Sequence, residues 1–128
     1  VIDESLRYQS PSSATRLVKE DIVLRDIRFP AGVLVMIPWN MAGRSPTAVA
    51  NPDNFDPERS EGSSHVAFGL GPHICLGQFI ARAQIEEGFH LIAQRIKNPV
   101  LAGDVGWRPF PGVWGIRGLP IKFEVAPV

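Results

Sequence analysis

Residues Phe68 to Gly77 read FGLGPHICLG, a glycine-rich loop that carries the only cysteine of the chain, Cys75, to the start of a long helix-like run. Gly69 and Gly71 can adopt backbone angles closed to other residues, and Pro72 stiffens the return. The loop can therefore turn sharply and let a flat ligand approach its backbone. After Cys75, the sequence LGQFIARAQIEEGFHLIAQRI has no proline until Pro99. Its apolar positions Phe79, Ile80, Ala83, Ile85, Phe89, Ile92 and Ile96 recur at spacings of three and four, which predicts a largely buried helix ending at Asn98-Pro99. Cys75 then stands at the N-terminus of that helix, where the free amides of Leu76, Gly77 and Gln78 favour negative charge on the sulfur.

Read from residue types alone, several roles compete for this cysteine. A lone cysteine in a chain that is 45% hydrophobic is most often a small buried apolar side chain. A nucleophile activated by His73 is a second role, but two intervening residues in neither helical nor strand register give that pair no geometry. A zinc site is a third, and His65, His73 and His90 show no ligand spacing with it.

The run Phe68, Gly69, Gly71, His73, Cys75, Leu76, Gly77 resembles the haem-ligand signature of the cytochrome P-450 family. That resemblance implies that Cys75 is the axial ligand of the iron of haem b, with Phe68, Gly69, Leu76 and Gly77 shaping the cofactor contact. Thiolate ligation of this kind pushes electron density toward iron and favours O–O cleavage. Other segments match the family in the same order. Glu4 and Arg7, three apart in VIDESLRY, share one helix face and can pair. Phe55-Asp56-Pro57-Glu58-Arg59 resembles the family segment that adds a second arginine, so Glu4, Arg7 and Arg59 are expected to form a structural brace. Ser60 stands where family members often carry an aromatic. Arg16, in the strand-like ATRLV, and His73 are expected to contact the haem propionates through charge-assisted hydrogen bonds. By the same resemblance Ser12, Ala14, Val113, Trp114 and Ile116 lie where side chains reach a substrate above the haem.

Composition is consistent with this. Thirteen basic and thirteen acidic residues cancel, leaving no net field to recruit nucleic acid or an anionic membrane. No segment approaches the roughly 18 apolar residues of a membrane span, and there is no apolar signal core. A single cysteine argues against a disulfide-stapled secreted domain. These readings point to a soluble, cytoplasmic protein; set against the family's membrane-anchored branch, the resemblance implies the bacterial type.

Along the chain, a helix ends near Tyr8, before Ser10 to Ser13. Short strands follow at Ala14 to Val18, Asp21 to Leu24 and Asp26 to Phe29. Pro30-Ala31-Gly32 is a turn, and Val33 to Ile37 is a strand closed by Pro38. Asn40 to Ser64 reads as a long ordered loop with one or two helical turns. The tail from Trp107 to Val125 reads as a proline-interrupted hairpin. The expected architecture is one α+β unit over residues 1–128: a proximal ligand loop with its long helix, a small β-sheet and a C-terminal β-hairpin.

The resemblance identifies this unit with the C-terminal third of the mostly-α cytochrome P-450 fold. Val1 opens inside a helix without a capping residue, and the distal helix with its acid and alcohol proton relay is not recognisable in the chain. Ala42 to Thr47 is not that relay, because its spacing is off by one and Pro46 would break a helix. For a complete family member the resemblance implies a haem-thiolate monooxygenase that hydroxylates an apolar small molecule with dioxygen and two electrons. A ferredoxin or flavoprotein would deliver the electrons on the thiolate side, where Arg82 could assist docking. The chain as it stands is expected to be a truncated product without catalysis of its own. A haem-binding module without oxygen chemistry and a structural remnant are the alternatives.

Overall fold

The computed structural model describes residues 1–59, 65–108 and 113–126. Helix α1 (Ile2–Tyr8) opens the chain with Asp3 and Glu4 in its first turn and Arg7 in its last, charges that suit the helix dipole at both ends. No side chain caps it at Val1. Strand β1 (Ser13–Leu17) pairs antiparallel with β4 (Leu34–Pro38), with Ser13 opposite Pro38 and Arg16 opposite Val35. Between them β2 (Ile22–Leu24) and β3 (Ile27–Phe29) form a hairpin of their own, Leu24 opposite Ile27, turned by a two-residue loop in which Arg25 takes a φ of 54°. Helix α2 (Trp39–Ala42) follows β4 directly. A 3₁₀ turn, Gly71–His73, then leads to α3 (Gln78–Arg95). Strands β5 (Ile96–Leu101) and β6 (Ile121–Val125) pair antiparallel. The small sheet expected from sequence is thus three separate two-stranded sheets among the described residues.

Two boundaries differ from the sequence reading. The long helix ends at Arg95, three residues before Asn98, and the chain goes straight into β5. Pro99 cannot donate the helical hydrogen bond and its ring would clash with the carbonyl one turn earlier, so the helix cannot run through it. Ile96 accordingly has φ −113° and ψ 125°. Asn98 takes a φ of 49°, and the pairing register shifts between Lys97 and Val100, which lets a strand run through the proline as a bulge. The partner of Ile121–Val125 is therefore β5. Among the described residues the tail also folds on itself: Trp107 bridges Ile116, Arg108 N–H donates to the Gly115 carbonyl at 2.9 Å, and Arg117 N–H donates to the Gly106 carbonyl at 2.7 Å.

The interior also departs from expectation. Helix α3 has no buried residue: Phe79 is 76% exposed, and Ile80, Phe89 and Ile92 are all more than half exposed. Its apolar stripe has the spacing of a buried helix, but among the described residues the packing of α1 and β5 on it leaves that stripe mostly exposed. The fully buried side chains are instead Arg7, Glu4 and Ser10, with Val18, Val49 and Ala67 as the buried apolar positions.

Candidate functional site

The loop that carries Cys75 is held by its own backbone. Gly69 N–H donates to the Val66 carbonyl at 2.8 Å, Cys75 N–H to the Phe68 carbonyl at 2.8 Å, and Ile74 N–H to the Gly71 carbonyl at 3.0 Å. Gly69 and Gly71 take φ values of 78° and 74°, the left-handed region in which a side chain is strained. These two turns bring Phe68 and Cys75 back alongside each other. Gln78 N–H donates to the Cys75 carbonyl oxygen at 3.3 Å, and the helix proper starts after Gly77. Cys75 thus precedes α3 by a turn, with its thiol exposed.

That thiol opens on a cavity of about 450 Å³ whose wall is assembled from three parts of the chain. The segment before and within β1 contributes Ser12, Ala14 and Arg16, the start of α2 contributes Trp39, and the cysteine loop contributes Ala67, Phe68, Gly69, His73 and Cys75. Seven of the residues singled out from sequence therefore share one wall. Arg16 gives one donor to the neighbouring Thr15 carbonyl at 2.9 Å. Leu76 and Gly77 are outside this wall: Leu76 is 97% exposed, and Gly77 faces the Cys75 sulfur from the helix side. Val113, Trp114 and Ile116 are outside it as well. Trp114 N–H donates to the carbonyl of Pro11, which is itself part of the wall, at 2.5 Å, so this turn abuts the cavity edge without lining it.

Behind the loop is a second constellation, buried and ionic. All five N–H groups of Arg7 are used: Nε and one terminal nitrogen donate to the two Glu4 carboxylate oxygens at 2.7 Å each, and the rest go to the carbonyls of Gly43, Pro52 and Asn54 at 2.8, 2.8 and 3.1 Å. Glu4 Oε1 also accepts from the Asp56 N–H at 2.8 Å and from Arg59 Nε at 3.3 Å. Arg59 extends to the carbonyls of Ala50, Asn51 and Asn54. The Arg7 hydrogen bond holds the Glu4 carboxyl well below its ordinary range, at about 2, against the opposing effect of burial and with help from Asp56 and Arg59. Satisfying a buried charge pair this completely is what makes its burial tolerable. Ser60, next to Arg59, lies outside the described residues.

Residues with no sequence signal complete this frame. The Arg44 guanidinium lies 4.0 Å from the Tyr8 ring centroid and donates twice to the Tyr8 carbonyl at 3.1 Å. A Cβ on Gly43 would fall 2.2 Å from the Arg7 carbonyl oxygen, so glycine is needed for α1 to seat against the α2 turn. Arg82, expected to assist docking, chelates Asp3 at 2.5 and 3.2 Å. His65 Nε2 sits 3.4 Å from the same carboxylate. Each of these pairs spans 36 residues or more, and spacing along the chain does not reveal such partners.

Among the described residues no group of three or more His, Cys, Asp or Glu could hold a bare metal ion. A metal at Cys75 therefore has to arrive with most of its ligands already in place. The wall suits an iron porphyrin: a soft sulfur donor for the metal, the apolar surfaces of Phe68, Ala67 and Trp39 for the macrocycle, and the donors of Arg16 and His73 for carboxylate side arms.

The sequence profile described as Cytochrome P450 matches residues 1–113. Luteothin monooxygenase of Streptomyces thioluteus is 36% identical over 127 residues, covering 98% of this chain and 31% of that protein. The biotin biosynthesis cytochrome P450 of Bacillus subtilis (strain 168) is 36% identical over 126 residues, covering 96% of this chain and 31% of that protein. Cytochrome P450 CYP109Q5 from Chondromyces apiculatus superimposes with a TM-score of 0.91 at 30% identity, over 98% of this chain and 33% of its own. The chain spans about a third of the length of these relatives. No helix among the described residues is long and apolar enough to cross a membrane.

Proposed function

The chain belongs to the cytochrome P450 family, and from that premise we propose that it forms the sulfur-side wall of the haem site of a monooxygenase acting on an apolar small molecule. Haem bound there supplies the oxygen-activating chemistry. The carrying observation is the single wall that gathers Cys75, Phe68, His73 and Arg16 from segments almost sixty residues apart.

In this reading each residue has a physical task. Cys75 offers one anionic sulfur to the iron, aimed by the Cys75 N–H bond to the Phe68 carbonyl. Phe68, half-buried beside the sulfur, keeps water from it. Arg16 and His73 donate hydrogen bonds to the propionates and fix the rotation of the macrocycle. Ser12 and Ala14, on the wall shared with Cys75, present small side chains to the substrate above the cofactor, and Val113, Trp114 and Ile116 border the space where substrate enters. Glu4, Arg7 and Arg59 anchor α1 to the 43–59 segment and so hold the platform on which the loop rests. The name of a further relative, the steroid C26-monooxygenase of Mycolicibacterium smegmatis, 34% identical over 125 residues, favours an apolar substrate for the whole protein. A ferredoxin or flavoprotein supplies its electrons, and a cytoplasmic location suits such donors.

The test is spectral. The 128-residue chain is mixed with haem, reduced, and exposed to carbon monoxide. A red-shifted Soret band, characteristic of a thiolate-ligated carbonyl, is expected. Cys75→Ala should abolish that band. A folded wild-type chain that gives no such band overturns the assignment of Cys75.

A further inference from the structure

Helix α1 presents two carboxylates in succession, and they face different neighbours. Glu4 is enclosed by Arg7, Arg59 and the backbone of the 43–59 segment. Asp3 turns the other way and is gripped by Arg82 of α3 through both oxygens, at 2.5 and 3.2 Å. The Arg82 hydrogen bond holds the Asp3 carboxyl below its ordinary range, against partial burial and with a further contribution from His65.

His65 makes this more than a link between helices. Its Nδ1 accepts the Ala67 N–H at 3.2 Å, which in the neutral ring leaves the proton on Nε2, the nitrogen 3.4 Å from Asp3 Oδ1. The ring lies against Phe68 with centroids 5.8 Å apart and planes tilted by 58°. The Phe68 carbonyl in turn receives the Cys75 N–H. A continuous set of contacts thus runs from Arg82 and Asp3 through His65 to Phe68 and Cys75.

We infer that Asp3, His65 and Arg82 form a second clamp, separate from the Glu4 brace, that positions Phe68 and through it the cysteine loop. This rests on the reading of Cys75 as a cofactor ligand, because only then does the aim of its sulfur matter. The physical logic is that of outer-shell partners at metal sites, which orient a ligand they do not themselves replace. Fixing His65 from both ring nitrogens fixes the edge on which Phe68 rests. With α3 held by Arg82, the loop is secured at both of its ends.

Amide hydrogen exchange on the full 128-residue chain tests this without requiring haem. In Asp3→Asn, the Gly69 and Cys75 amides should exchange about tenfold faster, while the Val18 and Gly32 amides in the β1–β4 region keep their wild-type rates. His65→Asn, which retains an acceptor for the Ala67 N–H and removes the Nε2 donor, should give the same pattern with the Asp3–Arg82 pair intact, and Asp3→Glu should restore slow exchange. Unchanged Gly69 and Cys75 rates overturn the clamp. So does an equal acceleration at all four amides in both variants, which would make Asp3 and His65 general stabilisers. In the haem-loaded chain, Asp3→Asn should also lower the fraction of reduced carbonyl complex with the thiolate band. Should the wild type give no such band while exchange at Gly69 and Cys75 still responds selectively, the haem assignment fails and the clamp stands.

Discussion

Two faces of α1 meet opposite kinds of interior. Toward α2 and the 43–59 segment lies a buried ionic knot, with Arg7 at 0% and Glu4 at 2% exposure and every guanidinium donor of Arg7 engaged. Toward α3, β5 and β6 lies an apolar groove of about 670 Å³, bordered by Ile2, Phe89, Ile92, Ile96, Leu119 and Ile121, of which Phe89, Ile92 and Leu119 remain about half exposed. The polar side is closed and the apolar side is not, which inverts the usual arrangement of a small domain. A hydrophobic stripe gains only from what covers it, and its spacing does not name the cover. An ion pair with all its donors matched is complete within the segments that supply them.

That contrast can be broken first at its strongest point. Glu4→Gln leaves the Arg7 charge buried with only neutral partners and is expected to lower unfolding stability by about 3–5 kcal/mol, read from the urea midpoint. A loss below 1 kcal/mol would mean that the knot is ornamental. Acid probes the same group without mutation. Because the folded Glu4 carboxyl titrates at about 2, below its unfolded value, its contribution is fully present above the ordinary carboxylate range and is lost as pH falls from that range toward 2. The loss should amount to a few kcal/mol, and urea midpoints in Glu4→Gln should show much less of it. Gly43→Ala, which pushes a methyl against the Arg7 carbonyl, should destabilise by about 1–3 kcal/mol, a smaller effect because the turn can shift. On the open side, Phe89→Gln should change stability by no more than about 0.5 kcal/mol while reducing self-association and the binding of apolar dyes. A large loss there would show that the groove is closed in solution, and the contrast would disappear.

Legibility followed the range of the interactions. The β1, β4 and α1 segments were readable because their signals are local: β-branched residues bounded by Pro and Gly, and a Glu–Arg pair three apart. Helical periodicity continues through Arg95 and Ile96 and places the end of α3 three residues late, whereas β5 exists through its pairing with β6, whose strand begins twenty residues after β5 ends. Nothing in the sequence neighbourhood of Arg82 announces Asp3, 79 positions away. Arg44 was passed over for the same reason: its partner, Tyr8, is 36 positions distant.

By itself the sequence determined the family, through the cysteine loop, and the Glu4–Arg7 pair, because those signals are local: glycines where φ must be positive, one sulfur, and a carboxylate and a guanidinium three residues apart; Arg16, Arg59 and His73 came in with the family resemblance. Only the tertiary structure decided that Ser12, Ala14 and Arg16 share a wall with Cys75 and that Leu76 does not. It also decided that Asp3 joins α3 to the loop through His65, and that the stripe on α3 is open. Those outcomes depend on which distant segments meet, and the free energy of such a meeting is shared between partners that no stretch of sequence contains together.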